Sequence, residues 1–461
     1  MEKRPNILFI MSDQQRADTI GPNRHPCADY PNLEGLMRES VSFDRFYASS
    51  MPCAPSRASF LTGKNAWNFE CCANARFYTS DESLSPNNKS WMQALREAGY
   101  CCVSVGKTHM VHAGSYHIQV PLADSFGDED GWDHFHPQET PASDATYYDL
   151  HTTRRACDAL KRLSGEPFAL FVGFHAPHEP YVLPKRYLSY CKPEDVPLPS
   201  ARALSEYEEK SENYRERISH FRRMFGNCID DDESIRKGIA AYFGAVKMVD
   251  DCVGVLLDQL RSLSLWDDTL IVFTSDHGEM LGDHYLFNKN ATCYEQESRI
   301  PFMLKLPGSL YAGKHVSNLA CAVDFYPTLM DWLGIDADVA LPGYTLRPCI
   351  ETGANARDCV MTWYGMASMA IRTQRHKLMY CPETEDGELY DLQADPCEMQ
   401  NLYRDARAQD VKAMLFQRML HERMLADKRC SRLTQREWRL HREIYASMEP
   451  EVCPLPRSMR V

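Results

Sequence analysis

The chemistry in this sequence begins at Met51 to Lys64, Met-Pro-Cys-Ala-Pro-Ser-Arg-Ala-Ser-Phe-Leu-Thr-Gly-Lys. Pro55 fixes its own backbone angle and suits the first turn of a helix, where its missing N–H costs nothing. Cys53 is therefore expected at a helix N-terminus, where free N–H groups and the positive dipole end favour an anion. Arg57 follows one turn later, so its fork can reach the group Cys53 presents. Gly63 reads as the C-cap. An isolated cysteine is usually a buried, inert thiol. The spacing is what sets Cys53 apart.

Elements must bring other reactive residues to this corner. Ile7 to Met11 is a short apolar run of the kind buried in a parallel sheet, and it ends in Ser12-Asp13-Gln14. Open α/β sheets place ligands beyond the carboxyl ends of their strands, which makes Asp13 a metal-ligand candidate. Three more apolar runs follow the same plan. Tyr100 to Val105 delivers Gly106-Lys107-Thr108-His109, and alternation aims Lys107 and His109 the same way. Phe168 to Phe174 delivers His175-Ala-Pro-His178-Glu-Pro180. Thr269 to Thr274 delivers Ser275-Asp276-His277-Gly278-Glu279, with Lys289 further on.

Helical spacing predicts helices over Leu33–Arg38, Trp91–Ala98, Arg154–Leu163, Ile239–Leu263, Ala322–Leu333 and Val411–Lys428. Residues 185–235 interleave Lys, Glu and Arg and read as an exposed insertion with a solvated face. Val360–Trp363, Met369–Thr373 and Lys377–Tyr380 suggest short antiparallel strands, with Leu341–Pro348 as a hinge before them. The segment from Val111 to Ser143, with His112, His117, Trp132, His134 and His136, reads as a pocket rim.

Cys-x-Pro-Ser-Arg followed by Leu-Thr-Gly resembles the signature of the type I sulfatases of the alkaline-phosphatase-like superfamily. Gly106-Lys107-x-His109, His178 before Pro180, Asp276-His277 and Lys289 are similar to that family's other motifs. The resemblance runs from the first strand through Leu402. It implies an α/β fold with a large mixed, mostly parallel sheet flanked by helices, plus a smaller C-terminal α+β subdomain with a short antiparallel sheet. It implies oxidation of Cys53 to formylglycine (3-oxoalanine) by a formylglycine-generating or sulfatase-maturating enzyme. The metal ligands it implies are Asp13, Cys53, Asp276 and His277, with Gln14 open because many relatives carry two adjacent acids there. Carboxylate oxygens suit Ca²⁺ or Mg²⁺, while His277 leaves Mn²⁺ or Zn²⁺ open; the family points to Ca²⁺.

The resemblance also implies roles. Arg57 and Lys107 hold the nucleophile derived from Cys53, and His109 is the base that eliminates sulfate. Lys289 and His178 bind the sulfate and assist the leaving oxygen. The implied reaction is hydrolysis of a sulfate monoester, on a sulfated carbohydrate or another small organic sulfate. A phosphonate or phosphate ester hydrolase on the same scaffold is the enzymatic alternative, and a binding protein with unconverted Cys53 is the non-enzymatic one.

At 461 residues the chain exceeds the size at which single cores stop growing, and a division into residues 1–345 and 346–461 is expected. A net charge of −13 argues against nucleic acid or an anionic membrane as partner, and any sulfated substrate must meet a local cationic pocket. The 18 cysteines are scattered without C-x-x-C spacing, and residues 1–4 run straight into an apolar strand. Both point to a cytoplasmic protein. A homo-oligomer stays open.

Overall fold

The computed structural model describes residues 4–22, 24–68, 88–108, 116–118, 135–202, 209–336, 340–365 and 367–430. Among these, the main sheet has eight strands in the order His315–Val316, Val41–Phe43, Phe302–Lys305, Thr269–Ser275, Asn6–Ser12, Phe168–Gly173, Cys101–Gly106 and Tyr116–Ile118. Phe302–Lys305 runs antiparallel to its neighbours, and the remaining pairings are parallel. The four apolar runs singled out in the sequence are thus the sheet centre. Their continuous hydrophobicity reflects helices on the sheet faces, which leave no solvated side. The chain has the α/β fold expected, a mostly parallel sheet flanked by helices.

Packing explains the order. Phe9 stacks on Phe171 with ring centroids 5.2 Å apart and meets Phe325 at 4.9 Å and Trp91 at 5.6 Å. One strand residue thereby ties a neighbouring strand to two helices, Trp91–Glu97 and Phe325–Leu333. The 31-residue helix Asp232–Ser262 buries the stripe of Val246, Val249, Val253, Leu256 and Leu260. It begins seven residues before the apolar periodicity does, because Asp231 caps it by accepting from the Ser234 N–H at 2.8 Å. Likewise Tyr148–Leu163 starts earlier than its pattern, since its first turns bury the polar residues Asp149, Thr152 and Thr153.

The charged stretch 185–235 departs from expectation. Its helix Glu212–Phe225 buries Tyr214, Ile218 and Phe221. Lys210 just before it is fully buried, donating to the Tyr390 hydroxyl at 2.8 Å and to the Glu398 carbonyl at 2.5 Å. Charge density hid an apolar face.

A second sheet joins Asp386–Asp391, His376–Cys381, Ser368–Thr373 and Cys359–Tyr364 in antiparallel fashion, as the strand pattern suggested. Its fifth strand is Ser50–Met51, which pairs in parallel with Trp363 and Tyr364. The two residues leading into the cysteine corner are therefore anchored by the C-terminal sheet. The Arg-rich segment after Cys430 lies outside the described residues.

Candidate active site

The helix Cys53–Thr62 begins at Cys53 and ends on Gly63, whose φ of 64° is the left-handed cap that glycine adopts without strain. Every residue of this helix is buried. The Cys53 sulfur lies 3.2 Å from His277 Nε2 and 3.7 Å from Asp13 Oδ1. Residues from three remote segments meet at one thiol.

Arg57 organises the carboxylates around it. Its Nε donates to Asp276 at 2.8 Å, one terminal nitrogen donates to Asp13 at 2.8 Å, and the other donates to the Lys107 carbonyl at 2.6 Å. Lys107 Nζ pairs with Asp13 at 2.7 Å. Burial pushes the Asp13 carboxyl up, yet Lys107, His178, Arg57 and His277 together hold it well below the usual carboxylate range. Asp276 moves the other way, raised by burial and by the neighbouring Asp13 charge. Two buried carboxylates this close repel one another, and a divalent cation relieves that repulsion.

The donor set fits one cation. Single ligand atoms from Asp13, Cys53, Asp276 and His277 all lie within 4.8 Å of one another, and all four residues are buried. Ligands about 2.3–2.6 Å from a shared Ca²⁺ lie at such separations. His277 Nδ1 donates to the Gly278 carbonyl at 2.9 Å, which orients the ring and turns Nε2 toward the cluster. Against the pull of burial, Asp276 and Cys53 push His277 up to about 9.

The cationic wall stands opposite. Lys289 Nζ donates to His178 Nε2 and to Gln14 Oε1, each at 2.7 Å. His178 Nδ1 donates to the Glu179 carbonyl at 2.6 Å, which fixes the tautomer that accepts from Lys289. Burial, then Lys289 and Lys107, hold His178 well below its ordinary value and hence neutral. Burial opposes the Lys289 charge, but Cys53, Glu179 and Asp13 outweigh it and hold the ammonium protonated. His109 lies outside the described residues.

Around Gln14 and the His175 loop the structure adds residues that sequence reasoning missed. Gln14, with φ of 66°, directs its amide nitrogen to Glu179 Oε2 at 2.5 Å and to Glu279 Oε2. Glu179 also accepts from Asn288 Nδ2 at 2.6 Å. The Gln14 amide is thus spanned by two buried acids and a lysine. Asp149 accepts from the backbone N–H groups of His175 at 2.7 Å and Ala176 at 3.1 Å, and burial pushes it up to about 6. It fixes the loop that presents His178. Glu179 and Glu279 stand beside recognised motifs, which was the available signal; Asp149, early in a helix, gave none.

Glycine sets the position of Lys107. The Lys107 N–H donates to the Gly173 carbonyl at 2.8 Å, and a Cβ at Gly173 would come 1.9 Å from the Lys107 carbonyl oxygen. The strand ends bearing Lys107 and His178 approach this closely only because position 173 lacks a side chain.

Comparisons with known proteins agree with this geometry. The sulfatase family profile matches residues 5–335, and the profile of the N-sulphoglucosamine sulphohydrolase C-terminal region matches residues 282–425. The chain is 30% identical to the multifunctional alkaline phosphatase superfamily protein PehA of Trinickia caryophylli, over 87% of this chain and 92% of that protein. It is 29% identical to the choline-sulfatase of Rhizobium meliloti, over 89% of this chain and 85% of that protein. The crystal structure of the phosphonate monoester hydrolase of Agrobacterium radiobacter superposes with a TM-score of 0.77 at 25% identity, covering 92% of this chain and 96% of the other. With the profile spanning the whole main sheet, the chain belongs to the sulfatase family.

Proposed function

We propose that this enzyme, a sulfuric ester hydrolase by family, releases inorganic sulfate from a small sulfated substrate, a sulfated saccharide first, through a formylglycine hydrate made from Cys53. One observation carries this reading. Cys53 opens a buried helix within 3.7 Å of Asp13 and 3.2 Å of His277, while Arg57 binds the carboxylates of Asp13 and Asp276.

Asp13, Asp276, His277 and the residue at position 53 would hold the divalent ion, which we take to be Ca²⁺, and the ion would supply positive charge at the sulfate. Arg57 and Lys107 orient the nucleophile. One hydroxyl of the hydrate attacks sulfur in line. Deprotonating the other, by His109 in this reading, breaks the carbon–oxygen bond, expels sulfate and restores the aldehyde. Lys289, charged and held by neutral His178, binds the sulfate and gives its proton to the departing oxygen. Gln14 positions Lys289 and is not needed as a ligand.

We further place the protein in the cytoplasm, where a maturation enzyme converts Cys53, and set the domain boundary near residue 345. The scattered cysteines support the location, and no helix among the described residues is long and apolar enough to cross a membrane.

A phosphonate or phosphate ester hydrolase is the second reading, favoured by the likeness to PehA and to the phosphonate monoester hydrolase. Steady-state rates on sulfated saccharides, aryl sulfates and phenyl phosphonate esters separate the two. Sulfate release with the higher kcat/KM on sulfate esters is expected, and a higher value on the phosphonate overturns the sulfate assignment.

A further inference from the structure

Lys289 stands in a buried segment whose backbone has an unusual shape. Residues 288–293 are at most 9% exposed, and three of them, Asn288, Ala291 and Cys293, adopt left-handed φ values of 66°, 60° and 57° without being glycine. Such conformations persist only where the surroundings enforce them, and buried peptide groups need partners. Side chains from outside the segment meet both needs.

Glu297 holds the N–H side. One of its carboxylate oxygens accepts from the Asn290 N–H at 2.8 Å, the other from the Thr292 N–H at 3.0 Å and the Thr292 hydroxyl at 2.8 Å. Glu297 is fully buried, and its own carbonyl accepts from the Gly278 N–H at 2.8 Å, one residue past His277. A Cβ at Gly278 would come 2.0 Å from the Gln296 carbonyl oxygen, so this approach needs glycine there. Glu297 therefore spans from the strand end bearing Asp276 and His277 to the peptide groups that follow Lys289.

The C-terminal sheet holds the carbonyl side of the same two peptide groups. The Tyr364 hydroxyl donates to the Lys289 carbonyl at 3.3 Å, and the Ser368 hydroxyl donates to the Ala291 carbonyl at 2.5 Å. Tyr364 and Ser368 face each other across one hairpin, and Tyr364 also pairs with Met51, two residues before Cys53. The peptide joining Lys289 to Asn290 is thus gripped at both ends, by one element tied to His277 and another tied to the Cys53 corner.

We propose that Glu297 is a positioning residue for Lys289, which with Tyr364 and Ser368 clamps these two peptide groups and so fixes the Lys289 ammonium relative to position 53. This rests on the reading of Lys289 as the group that protonates the departing oxygen.

The test uses the converted full-length enzyme and reads the ratio of kcat/KM on phenyl sulfate to that on para-nitrophenyl sulfate, whose leaving oxygen departs more readily without a proton. Lys289→Ala sets the reference, the fall expected when the proton donor is gone. Glu297→Gln sets an amide against the same N–H groups and is expected to lower the ratio about 10-fold, through kcat. The double variant Tyr364→Phe with Ser368→Ala removes only the carbonyl-side contacts and is expected to lower it about 3-fold. A merely structural role slows both substrates alike. An unchanged ratio in Glu297→Gln therefore overturns this inference alone, and where that variant does not fold, the double variant decides in the same way. No fall in Lys289→Ala overturns the reading of Lys289 as proton donor and this inference with it. Wild-type enzyme inactive on every sulfate overturns the sulfatase reading and both.

Discussion

The Cys53 sulfur and His277 Nε2 lie 3.2 Å apart although 224 residues separate them in the chain. The corner that carries Cys53 is held by Ser50–Met51 in the C-terminal sheet, and His277 by the end of Thr269–Ser275 in the main sheet. The reactive position is therefore where the two sheets meet, and its geometry depends on both.

Cys53→Ala is expected to reduce turnover by about 10⁴-fold or more while leaving the far-UV spectrum and the metal-free melting temperature close to wild type. Retained wild-type rates would remove Cys53 as the nucleophile precursor. In the wild-type protein, conversion to formylglycine lowers the intact mass by about 18 Da, which mass spectrometry reads directly.

Asp276→Asn removes one charge from the repelling pair with Asp13 and one oxygen ligand. Metal content after dialysis, measured by plasma emission, is expected to fall, with affinity reduced by roughly 100-fold. The metal-free variant is expected to lose little stability, because the wild-type carboxylate is already disfavoured by burial and by Asp13. Unchanged metal content would argue against Asp276 as a ligand.

Gln14→Glu places a second acid next to Asp13. Here the Gln14 amide nitrogen already serves Glu179 and Glu279, so a third carboxylate meets two others with Lys289 as its cationic partner. Denaturant unfolding of the metal-free variant is expected to show a loss of about 3–5 kcal/mol, the cost of an uncompensated buried charge. Stability at or above wild type would mean that the amide is not what holds these acids together.

Gly173→Ala places a methyl against the Lys107 carbonyl oxygen. The backbone must shift, at a cost of about 1–3 kcal/mol, and activity should drop further than that stability loss alone implies because Lys107 moves off Asp13. Kinetics and unfolding of the same variant check both halves.

His284 supplies the pH test. Its ring stacks on Tyr294 with centroids 4.2 Å apart, and burial, with Lys210 nearby, holds its pKa down to about 3 against an ordinary 6.5. Between pH 6.5 and 3 the unfolded chain takes up a proton that the folded chain refuses. The stability is therefore present above 6.5 and drains away as pH falls toward 3. His284→Asn keeps a residue type tolerant of the backbone φ of 55° but cannot titrate there. Its melting temperature is expected to lie below wild type at pH 7 and to converge with it on acidification. Parallel curves would exclude His284 as a source of acid sensitivity.

Much of this site is legible in the sequence because strand ends and helix starts are local events. Four apolar runs bounded by Asp13, Lys107, His178 and Asp276, and one Pro-marked corner at Cys53, announce themselves within about ten residues each. What the residues at those boundaries touch is not local. Gln14 stands alone after a strand in the sequence, yet tertiary packing places two acids and a lysine on its amide, drawn from segments more than 160 residues away. Asp149 looks like any first-turn acid until the fold aims the His175 loop at it. The charged stretch around Arg217 reads as solvated, since residue type reports only average exposure, and the face of a helix that meets a loop is decided by the loop. Side-chain chemistry and short-range periodicity therefore determined which groups exist and which elements present them. Only closure of the two sheets on one corner decided their distances and their charges.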